Sequence, residues 1–283
     1  MLNAIYLISI IIGLAVQNIV KKPYTDRTKG KGVYLFNTLL SIAAMLFFLI
    51  TSKELHFKLS VVPYALGFAF TYILASVFSV KAISCGSLSL TSLVLSYSLM
   101  IPTFYGLLFL KDPISTGFIL GIVLLVVSLL LINKRGDNNQ LSLKWMLFVF
   151  LSFAGNGLCT VVQKMQQVAS KGAFKNEFMI VALFLVTCMM LILVIKNERQ
   201  EVSCYAKKGW YFAVLCGLMN GVVNLFVMIL SARIPVALMF PLISAGGIIV
   251  TYLVSKFFYK ERLTGMQLVG FLIGIVSVIF LNL

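Results

Sequence analysis

Residues 111–133 read KDPISTGFILGIVLLVVSLLLIN, and residues 260–282 read KERLTGMQLVGFLIGIVSVIFLN. Set together without a gap, at a displacement of 149 residues, Lys111 meets Lys260, Asp112 meets Glu261, Ser115 meets Thr264, Gly121 meets Gly270, Ser128 meets Ser277 and Asn133 meets Asn282. Apolar coincidences carry little weight in leucine-rich sequence, whereas polar and glycine coincidences carry more. The shared content is a connector with one basic and one acidic residue, then a Ser or Thr suited to cap the incoming helix, then a long apolar run. A looser match, at a displacement of 143, pairs Ser9, Gly13, Gln17 and Lys21 with Ser152, Asn156, Thr160 and Lys164, and chance competes as its explanation. Spacing of four keeps each set on one helical face. Resemblance at a fixed offset signals duplicated architecture, and predicts two units, residues 1–137 and 138–283.

Composition says in which solvent the units fold. Of 283 residues, 61% are hydrophobic and 11% charged, against about 25% charged in an ordinary soluble domain. Ten windows lack interior acidic residues and are long enough to cross a hydrocarbon layer about 30 Å thick as helices. They run from Leu2 to Val20, Val33 to Thr51, Leu59 to Val80, Ser87 to Leu110, Ser115 to Asn133, Trp145 to Gln163, Phe178 to Ile195, Gly209 to Ser231, Pro235 to Tyr259 and Thr264 to Asn282. Neither a basic leader nor a small-residue cleavage site frames the first run, so it reads as a helix and not as a signal peptide. The expected fold is therefore an all-α, multi-pass integral protein of the cell membrane. Five spans per half is an odd number, so the second half enters from the opposite side, giving two inverted five-helix repeats.

The formal charge of +15 does not point to nucleic acid, because Lys and Arg fall in short connectors and form no continuous basic face. Grouped by alternate connectors, sixteen of the 23 lie on the side of the first connector and seven on the other. The positive-inside rule then puts the first connector in the cytoplasm and both termini outside. The five cysteines include no C-x-x-C pair and suggest neither metal nor redox chemistry. All eight acidic residues fall in connectors or at span edges, and the one histidine, His56, is in a loop. A proton relay through a buried carboxylate is thereby disfavoured, and neutral, zwitterionic or anionic cargo fits better. No cofactor is expected.

Polar groups in hydrocarbon cost free energy unless they pair with protein or line a wet cavity. The first and sixth helices supply Gln17, Asn156 and Thr160; the third supplies Tyr72, Ser76 and Ser79; the eighth supplies Asn220 and Asn224. The fourth carries Ser92, Ser96 and Pro102, and the ninth carries Pro241, Ser244, Gly246 and Gly247. We read Gln17, Tyr72, Ser76, Ser92, Ser96, Asn156, Thr160, Asn220, Asn224 and Ser244 as a substrate-binding wall, set against a reading as interhelical contacts worth about 1 kcal/mol each. Pro102, Pro241, Gly246 and Gly247 read as gating points, since proline frees a carbonyl and permits a kink; a static kink is the competing reading. Lys21, Lys164 and Lys256 sit near span ends, in positions to attract a carboxylate, although snorkelling to the interface is the simpler role for each. The G-x-x-x-G pairs Gly117/Gly121 and Gly270/Gly274 suit close helix contact, within the fold or in a homodimer.

Ten spans, duplicated halves and the Lys111-Asp112 and Lys260-Glu261 connectors, each followed by Ser or Thr and then glycine, resemble the drug/metabolite transporter superfamily, within it the EamA-type ten-helix group. That resemblance implies an exporter or exchanger of amino acids, nucleosides, sugars or other metabolites, with a central cavity between the halves, and both termini in the cytoplasm, opposite to what the connector charges indicate. A lipid flippase or a sensor without transport activity is one alternative, and a membrane-embedded transferase acting on a lipid-linked substrate, from another class, is a second. The sequence offers it no Asp-rich pair, histidine metal motif or nucleophile elbow.

Overall fold

The structure is a computed structural model, and it describes residues 2–52, 54–109, 116–132, 142–171, 173–231, 236–260 and 263–280. All regular structure among them is helical: α1 (Leu2–Thr28), α2 (Val33–Thr51), α3 (Val62–Cys85), α4 (Leu88–Ser96), α5 (Met100–Phe109), α6 (Thr116–Ile132), α7 (Leu143–Ala169), α8 (Lys175–Asn197), α9 (Val202–Ser231), α10 (Val236–Phe257) and α11 (Gly265–Phe280), with short 3₁₀ turns between some of them. Each of the ten expected windows is occupied by helix. Six helical stretches among the described residues are long and apolar enough for a full crossing, and Thr116–Ser128, Gly246–Phe257 and Gly265–Phe280 are shorter apolar helices. Large apolar side chains such as Phe70, Phe150 and Ile192 face outward, as a hydrocarbon solvent requires.

The first span differs from its expected limits. Its apolar run ends at Val20, but α1 continues to Thr28 through Pro23. Proline has no N–H to donate to the carbonyl four residues back, and the Tyr259 hydroxyl donates to that Ile19 carbonyl at 3.3 Å instead. Lys21 is thereby carried inside the bundle. The eighth window likewise begins earlier, at Val202, with a non-helical residue at Gly209 where the apolar run starts.

The fourth window is broken. Between α4 and α5 lies a 3₁₀ turn, Tyr97–Leu99, because Pro102 cannot donate to the Ser98 carbonyl and its ring crowds that oxygen. The ninth window, α10, runs unbroken through Pro241, Gly246 and Gly247. Gly246 is a close-contact point, since a Cβ there would meet Ile11 Cδ1 of α1 at 2.7 Å.

Packing between the halves is extensive. α1 lies on α9 and α10, α3 on α7 and α8, α2 on both α8 and α9, α4 on α10, α7 on α4 and α5, and α6 on α11. Two of these contacts depend on glycine. A Cβ at Gly155 would lie 2.5 Å from the Ala75 backbone nitrogen, and one at Gly217 would lie 2.3 Å from the Leu40 carbonyl oxygen. At the α6/α11 contact Tyr97, Ser128, Gly270, Gly274 and Ser277 come together, with Ser128 donating to the Gly270 carbonyl and Ser277 to the Gly121 carbonyl.

Candidate functional site

Inside the bundle is a cavity of about 300 Å³. Its wall comes from both halves: Gln17, Asn18 and Lys21 on α1, Tyr72, Ser76 and Ser79 on α3, Ser92 and Ser96 on α4, Ser98 on the 3₁₀ turn, Ser152, Asn156, Thr160 and Gln163 on α7, Cys216, Asn220 and Asn224 on α9, and Gly247 on α10. Nine of the ten residues read from the sequence as a binding wall therefore share one space. The tenth, Ser244, lies in the backbone of α10, but its side chain is outside the described residues, as is that of Pro241.

Side-chain hydrogen bonds hold this wall in shape. Asn220 Nδ2 donates to Gln17 Oε1 at 3.0 Å, joining α9 to α1, and Asn224 Nδ2 donates to the Asn220 carbonyl at 2.8 Å one turn away. Asn156 Nδ2 donates to Ser98 Oγ at 2.8 Å, tying α7 to the broken turn of the fourth span. Ser152 Oγ donates to the Ala75 carbonyl at 2.7 Å, securing the glycine contact of α7 with α3. Thr160 donates to the Asn156 carbonyl at 3.2 Å and Ser96 to the Ser92 carbonyl at 2.9 Å, so both hydroxyls are partly engaged within their own helices. Inside low-dielectric surroundings such polar groups are costly unless satisfied. Two of them, Gln17 Nε2 and Ser92 Oγ, are buried with no hydrogen-bond partner among the described residues.

Among the described lining residues one is basic, Lys21, whose Nζ donates to Ser79 Oγ at 2.9 Å. The sequence reading puts Lys21 near a span end, because its span is drawn to Val20, and prefers snorkelling there to attraction of a carboxylate; the signal that it belongs inside is its spacing of four from Gln17 and of eight from Gly13. Ser98, Ser152 and Gln163 were likewise outside the expected wall, their hydroxyls and amide being indistinguishable in sequence from helix-to-helix contacts. Among the described residues, no group of three or more His, Cys, Asp or Glu is arranged to hold a metal ion.

A second hollow, about 640 Å³, opens at the end of the bundle that carries the first connector, lined by Lys31, Tyr34, Lys81, Glu198, Arg199 and Tyr205 among others. There Glu198 accepts from the backbone N–H of Tyr34 at 3.1 Å and of Leu35 at 2.9 Å. It caps α2 from across the bundle, where the helix's own N-cap, Gly32, has no side chain to do so. Burial raises the Glu198 carboxyl above the ordinary carboxylate value, while those backbone N–H groups and Lys81 oppose the rise.

A helical bundle with outward apolar faces and a polar interior defines a multi-pass integral membrane protein. Residues 143–283 match the model of the EamA-like transporter family, and this half of the chain is an EamA-like transporter domain. Membership of that family implies membrane transport. A protein of known crystal structure superposes with a TM-score of 0.62 at 10% identity over 96% of each chain, which shows that the fold is shared. No curated protein matches the chain.

Proposed function

We propose that the chain is a secondary transporter, an exporter or exchanger of a small polar metabolite such as an amino acid, working by alternating access between two oppositely inserted five-helix halves. The carrying observation is the cavity wall, contributed by both halves and rich in uncharged amides and hydroxyls. Its size sits at the low end of the roughly 300–1,000 Å³ usual for small-molecule sites.

The packing supports the duplicated reading. Exchange the first five spans with the last five in order, and the contact of α1 with α9 becomes that of α7 with α3. The contact of α2 with α9 becomes that of α8 with α3, and α1 with α10 becomes α7 with the broken fourth span. The contacts α2 with α8, α4 with α10 and α6 with α11 map onto themselves. An internal twofold axis generates such a pattern, and a bundle of unrelated helices has no reason to. In this mechanism the halves rock about those self-mapped contacts, and the fourth span, already interrupted before Pro102, is the gate that bends.

The test is transport by purified protein in liposomes loaded with a broad metabolite panel. Flux of at least one small metabolite is expected, and movement of none would reject the proposal. Scrambling of a labelled lipid without metabolite flux would favour a flippase instead.

A further inference from the structure

Three features of the cavity point to the electrical character of its cargo. Lys21 places an ammonium in the wall, and among the described lining residues no carboxylate faces it. An ammonium has three N–H donors, and Ser79 Oγ accepts from it at 2.9 Å. A cation away from bulk water and without a counter-charge is costly, and an incoming anion removes that cost. One turn earlier on the same face of α1 is Gln17, 9% exposed. Its oxygen accepts from Asn220 Nδ2 at 3.0 Å, which orients the amide, and its nitrogen has no partner among the described residues. Two donor groups at i and i+4, the Lys21 ammonium and the Gln17 amide, thus lie on one face of α1 among the cavity's lining residues.

We infer that the cavity takes a small organic acid whose carboxylate is held by the Lys21 ammonium and the Gln17 side-chain N–H. This rests on the transport reading above and narrows its substrate class. One carboxylate oxygen accepts from Lys21 and the other from Gln17, as neighbouring donors on one helical face permit. The rest of the molecule lies against Tyr72 and the hydroxyls of α4, where buried Ser92 Oγ also lacks a partner among the described residues. Cationic cargo is rejected, because it meets the ammonium and finds no acidic group in the described wall.

The experiment is thermal unfolding of the purified full-length protein at constant ionic strength with acetate, lactate, succinate and benzoate, each beside its neutral amide, and with sodium phosphate and sodium sulfate. At least one carboxylate raises the unfolding temperature and its amide does not. Lys21→Gln weakens that apparent affinity roughly tenfold or more, as loss of a charge-assisted hydrogen bond does, and Lys21→Arg recovers part of it. Gln17→Met, which retains length and adds no charge, weakens it less and serves as the second variant should Lys21→Gln fold poorly. Stabilisation by no carboxylate, equal stabilisation by the amides, response to phosphate or sulfate alone, or unchanged affinity in Lys21→Gln would each overturn the assignment. The same acids loaded into liposomes separate the two readings. Binding without flux keeps the carboxylate anchor and defeats transport, whereas flux of a neutral or cationic metabolite that is indifferent to Lys21→Gln keeps transport and defeats the anchor.

Discussion

Ser128 donates its hydroxyl proton to the carbonyl oxygen of Gly270 at 2.8 Å, and its counterpart in the second half, Ser277, donates to the Gly121 carbonyl at 2.8 Å. The displacement that aligns the two serines also aligns the two glycines, so each bond becomes the other when the halves are exchanged. Interhelical hydrogen bonds in membranes are worth about 1 kcal/mol. Ser277→Ala is expected to cost about that much in reversible unfolding of the detergent-solubilised protein. Ser128→Ala costs more, because the Tyr97 hydroxyl also donates to Ser128 at 3.0 Å and would lose its acceptor.

Glycines separate packing from function. Gly155→Ala drives a methyl into the backbone of α3, 2.5 Å from the Ala75 nitrogen, and backbone cannot give way as a side chain can. Overpacking of this kind costs about 1–3 kcal/mol or more, so folded yield should fall sharply. Gly247→Ala adds a methyl that, among the described residues, meets only Leu14 Cβ, at 3.9 Å, an ordinary contact. It should fold as the wild type does while altering the cavity floor, and size-exclusion profiles of the two variants make the comparison.

Asn156 and Asn220 hold the wall from α7 and α9. Asn156→Leu frees Ser98 and the broken turn, and Asn220→Leu frees the Gln17 oxygen. Each is expected to lower initial transport rate roughly tenfold, the order of one lost buried hydrogen bond and an orphaned partner, with expression unchanged. Normal transport by both variants would remove these residues from the site.

Glu198 makes a pH prediction. Its folded value is raised, so the native protein holds that proton to higher pH than the unfolded chain does. The resulting stabilisation is fully present below the ordinary carboxylate value and is lost as pH rises through the folded value. Unfolding temperature should therefore decline across the window just above the ordinary carboxylate range, and Glu198→Gln should flatten that part of the profile.

The basic connectors predict a membrane orientation. With sixteen of the 23 Lys and Arg on the side of the first connector, that side is expected in the cytoplasm. A phosphatase fused to the C-terminus should then be active and a fluorescent protein dark. The reverse pattern would mean that folding of the halves overrides connector charge.

What could be read from residues alone was whatever the bilayer imposes span by span. Apolar length determined that the chain is a bundle of membrane helices, and the paired 111–133 and 260–282 segments supplied the expectation of duplicated halves. Intramembrane polarity picked out nine residues that line one cavity, because a polar group in hydrocarbon has few places to go. Tertiary structure decided what depends on neighbours distant in sequence. Whether α1 could run past Pro23 turned on a hydroxyl from Tyr259, and that continuation moved Lys21 from the interface to the cavity. The capping of α2 by Glu198 has the same origin: a freed backbone group is stable only where another part of the fold supplies its partner.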